Sequence, residues 1–154
     1  MSGPADPERI AKLACDRGLS VAVAESLTGG ILTSRLAAAS DASAWLRGGV
    51  VAYATEVKRN VLQVTTRQVV SAECARQLAE GVARLLGADI AVATTGVGGP
   101  DPQEGQPPGT VWLGVSVGGV SDAVQLHLDG EPDEVCSRAA GAALALLYRR
   151  MQDI

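Results

Sequence analysis

The chain has 154 residues, 47% of them apolar and only 3% aromatic with no Phe, and a formal net charge of −4. That length supports one well-buried core, and without repeats or low-complexity runs it reads as a single domain over 1–154, with 1–7 expected to be flexible. No cluster of Lys and Arg marks a phosphate-backbone footprint, no apolar run is long enough to span a bilayer, and the N-terminus lacks a basic-then-apolar leader; nucleic-acid and membrane partners are excluded and the chain reads as cytoplasmic.

In chain order, Ile10, Leu13 and Ala14 at helical spacing predict a first helix ending near Gly18, followed by an apolar strand over 20–25 and a helix over 28–39. Gly48-Gly49 is read as opening a second strand, Val50 to Ala54, whose continuous apolar character suggests burial on both faces. Glu56 to Leu62 reads as a short helix ahead of a helix start at Ser71, an amphipathic helix over 72–86 and a glycine stop at Gly87. Asp89 to Thr94 reads as a third buried strand. Thr110 to Val117 and Ala123 to Leu128 form a hairpin through Gly118–Asp122, and a last helix covers roughly 132–150. Strands alternating with helices give an α/β fold: a three-layer α/β/α domain with a mixed, mostly parallel sheet and a C-terminal hairpin followed by a helix. With so few rings, its core must be built from Ala, Val and Leu at close helix-to-sheet spacing. Cys15, Cys74 and Cys136 are scattered and odd in number, as suits buried thiols in a reducing compartment rather than a disulfide scaffold.

The most informative stretch is Glu25-Ser26-Leu27-Thr28-Gly29-Gly30, where the first strand gives way to a helix. A hydroxyl at such a turn sits beside helix amides that lack intrahelical partners and favour negative charge, so the turn can hold a nucleophile or an anion. Equally, Ser26 or Thr28 can serve only as an N-cap. Two more loops follow strands, Tyr53 to Lys58 and Thr95-Gly96-Val97-Gly98-Gly99-Pro100, and in an open α/β sheet the three can meet in one crevice at the carboxyl ends of the strands. A serine beside a lysine made neutral by burial is a chemically useful pair, because the amine can take the hydroxyl proton. Against that stand plainer readings of Lys58 as a solvated helix lysine and Tyr53 as a half-buried strand residue. The sole histidine, His127, falls within a predicted strand, away from the loop that a Ser-His-Asp arrangement requires. No spacing of His, Cys or acidic residues suggests a metal, and Gly96 to Pro100 has neither phosphate-loop nor dinucleotide spacing.

Taken together, Val21 to Gly30, Gly48 to Tyr53 with Lys58 five residues on, Thr95 to Pro100 and Gly109-Thr110-Val111 resemble the CinA C-terminal domain family in order and spacing, over nearly the whole chain. The family's stand-alone members include nicotinamide mononucleotide amidohydrolases. The resemblance implies cofactor-free hydrolysis of nicotinamide mononucleotide to nicotinate mononucleotide and ammonia, with Ser26 as nucleophile, Lys58 as general base and Tyr53 assisting. It further implies that Thr28, Gly29 and Gly30 serve phosphate or oxyanion binding, that Thr95, Gly96, Gly98 and Thr110 line the substrate pocket, and that the chain forms a homo-oligomer, a dimer or larger. Two departures bear on the substrate. Where family members often read Gly-Asp-Arg and then Val-Arg before the last helix, this chain has Gly130-Glu131-Pro132 and Val135-Cys136, leaving Arg138 to compensate from another turn. The loop 101–108, where the family often has a lysine near Gln106, carries Asp101 and Glu104 instead. A catalytically degenerate nucleotide-binding module and an interaction subunit of the same fold are the alternatives.

Overall fold

The computed structural model describes residues 6–154. The flexibility expected for 1–7 therefore lies outside the described residues over its first five positions, and the other two, Asp6 and Pro7, stand at the start of the first helix. Asp6 caps α1 (Pro7–Arg17), its side chain accepting from the Glu8 amide, and Pro7 opens the helix where a missing N–H costs nothing. The remaining elements are β1 (Val21–Glu25), α2 (Ile31–Ala37), α3 (Ala42–Trp45), β2 (Leu46–Val51), α4 (Thr55–Leu62), α5 (Ala72–Leu86), β3 (Ile90–Gly96), β4 (Thr110–Val117), β5 (Val120–His127) and α6 (Pro132–Gln152).

The five strands form one sheet in the order β2-β1-β3-β4-β5. β1 pairs in parallel with β2 and β3, whereas β4 pairs antiparallel with both β3 and β5, so β4 alone runs against the rest. Period-two alternation assigns the two faces. Val21, Val23, Ile90 and Val92 turn toward α1, α2 and α6, while Ala22, Ala24, Ala91 and Ala93 turn toward α4 and α5. The alanine face lets α5 settle close to the sheet: a Cβ on Gly114 would lie 2.0 Å from the Ala75 carbonyl oxygen, so β4 needs a glycine under that helix. The expected close packing of small residues is thus found in the α5 layer.

Several sequence-based boundaries shift. β2 occupies the sheet edge, and its residues alternate between half-buried and exposed instead of being buried on both faces. It spans Leu46 to Val51, with Gly48-Gly49 inside it, because β1 offers a partner there and nothing pairs its outer side. The helix expected over 28–39 forms only over α2, since Thr28 to Gly30 make a turn. The hairpin closes through Gly118-Gly119 alone, so β5 starts earlier than the polar Ser121-Asp122 pair suggested. α3 had no signal in the periodicity. Of the cysteines only Cys74 is buried; Cys15 is exposed and Cys136 is half-buried, packed against the core cluster.

Candidate functional site

β1, β2 and β3 end on the same side of the sheet, and the chain leaving them builds a pocket of about 380 Å³. β1 delivers Ser26 and Leu27, the segment after β2 delivers Tyr53, Thr55 and Lys58, and β3 runs into Thr95–Gln103. The start of α6 closes the wall with Pro132 and Cys136. Six of the residues singled out from the sequence therefore meet in one crevice: Ser26, Tyr53, Lys58, Thr95, Gly96 and Gly98.

Lys58 is not a solvated helix lysine. It is 3% exposed, and its ammonium donates to the Tyr53 carbonyl oxygen at 2.9 Å. Burial holds its pKa below the ordinary lysine value, partly offset by Cys74 and Glu104 nearby. The Cys74 thiol beneath it is pushed up to about 11, chiefly by burial, and so remains protonated at neutral pH. Tyr53 lies beyond the end of β2 and is 71% exposed, so its side chain stands at the mouth while its carbonyl anchors the lysine. Ser26 is 7% exposed on the pocket wall, with its amide donating to Thr94 Oγ1 at 3.3 Å.

The other five candidates lie elsewhere. Thr28 is buried and outside the pocket lining, with its hydroxyl donated to the Glu25 carboxylate at 2.6 Å. Gly29 and Gly30 do not present a free helix N-terminus to a ligand. The Gly29 amide donates to the Ser26 carbonyl, and the Gly30 amide to Glu25 Oε1. Glu25 occupies this anion site itself: Oε1 also accepts from the Leu32 amide, and Oε2 accepts from the Thr33 amide and hydroxyl. Burial alone would raise the pKa of this carboxyl, but the hydrogen bonds from Thr28, Thr33 and Leu32 outweigh it and hold the group below the usual carboxylate range. Thr110 donates to the Pro107 carbonyl and so fastens the loop entering β4. Arg138 is exposed, donates to the Asp129 carbonyl and is not among the residues that line the crevice. His127 ends β5 opposite Thr110, away from Ser26.

Glu25 and Thr94 lie outside the pocket lining but behind Ser26, and residue order did not single out either as a site residue. The signal was an acidic residue closing an otherwise apolar strand directly ahead of a helix, with threonines three and eight positions on. Pro132 and Cys136, which stand where the family pattern has its two arginines, both line the pocket, and the Cys136 thiol donates to the Leu27 carbonyl at 3.0 Å. The acidic loop holds the pocket's outer rim in place. Glu104 accepts from the Val69 and Val70 amides, Gln106 donates to the Val70 carbonyl, and Thr95 donates to the Val69 carbonyl. Among the described residues no group of His, Cys, Asp and Glu could hold a metal ion, and no helix is long and apolar enough to cross a membrane.

A mixed-sheet α/β domain whose crevice gathers a serine and a buried lysine at the carboxyl ends of its parallel strands defines the class. The chain belongs to the CinA C-terminal domain family, whose sequence model matches residues 5–151. A CinA superfamily protein from Klebsiella pneumoniae 700603 superposes with a TM-score of 0.92 at 35% identity, over 96% of both chains. Curated relatives named as competence-damage inducible proteins include one of Bacillus subtilis (strain 168), 39% identical over 146 residues, and one of Geobacillus sp. (strain WCH70), 41% identical over 150 residues. These alignments cover 91% and 94% of this chain but 35% and 36% of the relatives, so the chain spans about a third of their length.

Proposed function

We propose that the chain is an amidohydrolase that converts nicotinamide mononucleotide to nicotinate mononucleotide and ammonia, with Ser26 as nucleophile and Lys58 as general base. The observation that carries this reading is the burial of Lys58 in the same pocket as Ser26, with its charged form disfavoured. Neutral Lys58 takes the Ser26 hydroxyl proton as Oγ bonds to the carboxamide carbon. The resulting ammonium returns that proton to the leaving nitrogen as the carbon–nitrogen bond breaks, releasing ammonia and leaving an acyl ester on Ser26. Water, deprotonated by the same amine, then hydrolyses the ester to the carboxylate and regenerates Ser26. Tyr53 holds the lysine through its carbonyl oxygen, and its ring at the mouth is placed to meet the entering substrate. No cofactor takes part in this scheme, and self-association of the chain belongs to the same reading, to be measured by light scattering.

The test is ammonia release from nicotinamide mononucleotide by the purified chain. The expected result is turnover that Ser26→Ala abolishes. One observation favours a second reading: the α6 wall of the pocket presents Pro132 and Cys136, neither of which can pair with a phosphate. Binding of the nucleotide without ammonia release would identify a nucleotide-binding module instead.

A further inference from the structure

The three hydroxyl and amide contacts behind Ser26 have one internally consistent polarity. Thr28 has a single hydroxyl hydrogen, and the 2.6 Å contact commits it to the Glu25 carboxylate, which can only accept. In the 2.9 Å contact between the Thr28 and Thr94 hydroxyls, Thr94 must therefore be the donor. That leaves a Thr94 lone pair for the Ser26 amide at 3.3 Å. The order runs from Ser26 N–H through the Thr94 and Thr28 hydroxyls to the Glu25 carboxylate, each dipole aligned with the next.

Glu25, Thr28 and Thr94 are 0%, 1% and 0% exposed, and none of them lines the pocket, so none can touch a substrate held there. Their side chains reach the pocket wall through the hydrogen bond from the Ser26 amide to Thr94 Oγ1. Ser26 stands just past the end of β1, where the strand ladder no longer holds its backbone, and α2 is short. The carboxylate replaces that support by gathering Gly30, Leu32 and Thr33 around itself, and Gly49 on β2 makes room for the closure, since a Cβ there would lie 2.1 Å from Thr33 Oγ1. We propose that Glu25, Thr28 and Thr94 form a positioning network that fixes the Ser26 backbone and thereby aims its hydroxyl into the pocket. The proposal rests on the reading of Ser26 as the nucleophile.

The residue to change is Thr94, because valine keeps its shape and removes the relay, while serine keeps the relay. Each variant is made in the full chain and followed by circular dichroism, by ammonia release from nicotinamide mononucleotide, and by covalent labelling of Ser26 with a fluorophosphonate, read by mass spectrometry. Thr94→Val is expected to lower kcat and the labelling rate by about ten- to a hundredfold, as a misplaced reacting group does, with KM within about threefold and an unchanged spectrum. Thr94→Ser restores both rates to near wild type. If Thr94→Val does not fold, Thr28→Val cuts the same relay one link further on and carries the same expectation. A folded Thr94→Val that labels at the wild-type rate, a loss confined to KM, or an equal loss in Thr94→Ser overturns the network. Wild-type protein that neither labels nor hydrolyses overturns the nucleophile reading and the network with it. Wild-type protein that labels without hydrolysing removes only the substrate assignment, and the labelling rates still decide the network.

Discussion

Ser26 and Lys58 are separated by 31 intervening positions in the chain and face one pocket, and the joint role proposed for them makes two predictions at the scale of single residues. If the lysine takes the serine's proton, Ser26→Ala and Lys58→Ala each remove most of the turnover. The double variant is then little worse than either, because groups acting in one step are non-additive; steady-state kinetics on the three proteins checks this, and losses that multiply count against a shared step. The second concerns pH. As the proposed general base Lys58 acts in its neutral form, and burial lowers its pKa, so kcat/KM is expected to rise with pH and level off at a point below the ordinary lysine value of 10.5. The sign follows from the base form being the active one: protonation on lowering the pH removes activity. A pH profile that is flat up to that value would sink the assignment. The chemistry at these positions was legible as residue types at a strand-to-helix turn, but the state of Lys58 was not. On local sequence a lysine in a short helix is solvated, and only the packing of α4 against α5 takes it out of water.

At the scale of elements, the tight seat of α5 on the sheet depends on β4 carrying no side chain at Gly114. Gly114→Ala places a methyl against the Ala75 carbonyl and is expected to cost about 1–3 kcal/mol, measured as a lower urea midpoint with an unchanged slope. A variant as stable as wild type would show that the helix can move aside freely. The loop 101–108 is argued in the same way. Glu104→Ala leaves the Val69 and Val70 amides without their carboxylate, a loss of roughly 1–3 kcal/mol in local ordering, so the pocket rim loosens. The expected readout is a raised KM and faster proteolytic nicking near Gly105, with kcat little changed; equal nicking in both proteins would refute it. Element types followed from periodicity wherever an element spans the core, as in α5, whose boundaries match the expected 72–86. The edge position of β2 did not follow, because an apolar run reads the same in a central strand as at an edge, and only pairing decides between them.

For the whole molecule, the formal net charge of −4 and the make-up of the pocket bear together on which substrates are welcome. Among the described residues that line the crevice only Lys58 and Asp101 are ionisable with a charged form at neutral pH, and Lys58 is already engaged by the Tyr53 carbonyl, its charged form disfavoured by burial. A phosphate there is left with backbone and hydroxyl donors, worth about 0.5–1.5 kcal/mol per contact instead of the larger charge-assisted value. Nicotinamide mononucleotide is therefore expected to bind only roughly two- to tenfold better than its dephosphorylated riboside, with weak salt dependence. Calorimetry on Ser26→Ala, which cannot consume the ligand, provides the measurement. A hundredfold preference that collapses in salt would reveal a cation pairing with the phosphate, either a charged Lys58 or a group outside the pocket lining.

Residue order alone was enough for the α/β layering, the helix and strand identities across the core, and the three strand-following loops that carry Ser26, Lys58 and Thr95, because periodicity and turn chemistry are local properties. How the polar groups between those loops are shared depended on the assembled fold. From sequence, Gly29 and Gly30 stood as open anion donors and Arg138 as a stand-in for missing arginines. In the fold, a buried carboxylate must collect every donor within reach, so Glu25 takes the helix amides first, and Arg138 donates to the Asp129 carbonyl and is not among the residues that line the pocket. Competition among buried groups for partners is settled only once the chain has brought them together, and that is why it cannot be read from residue order.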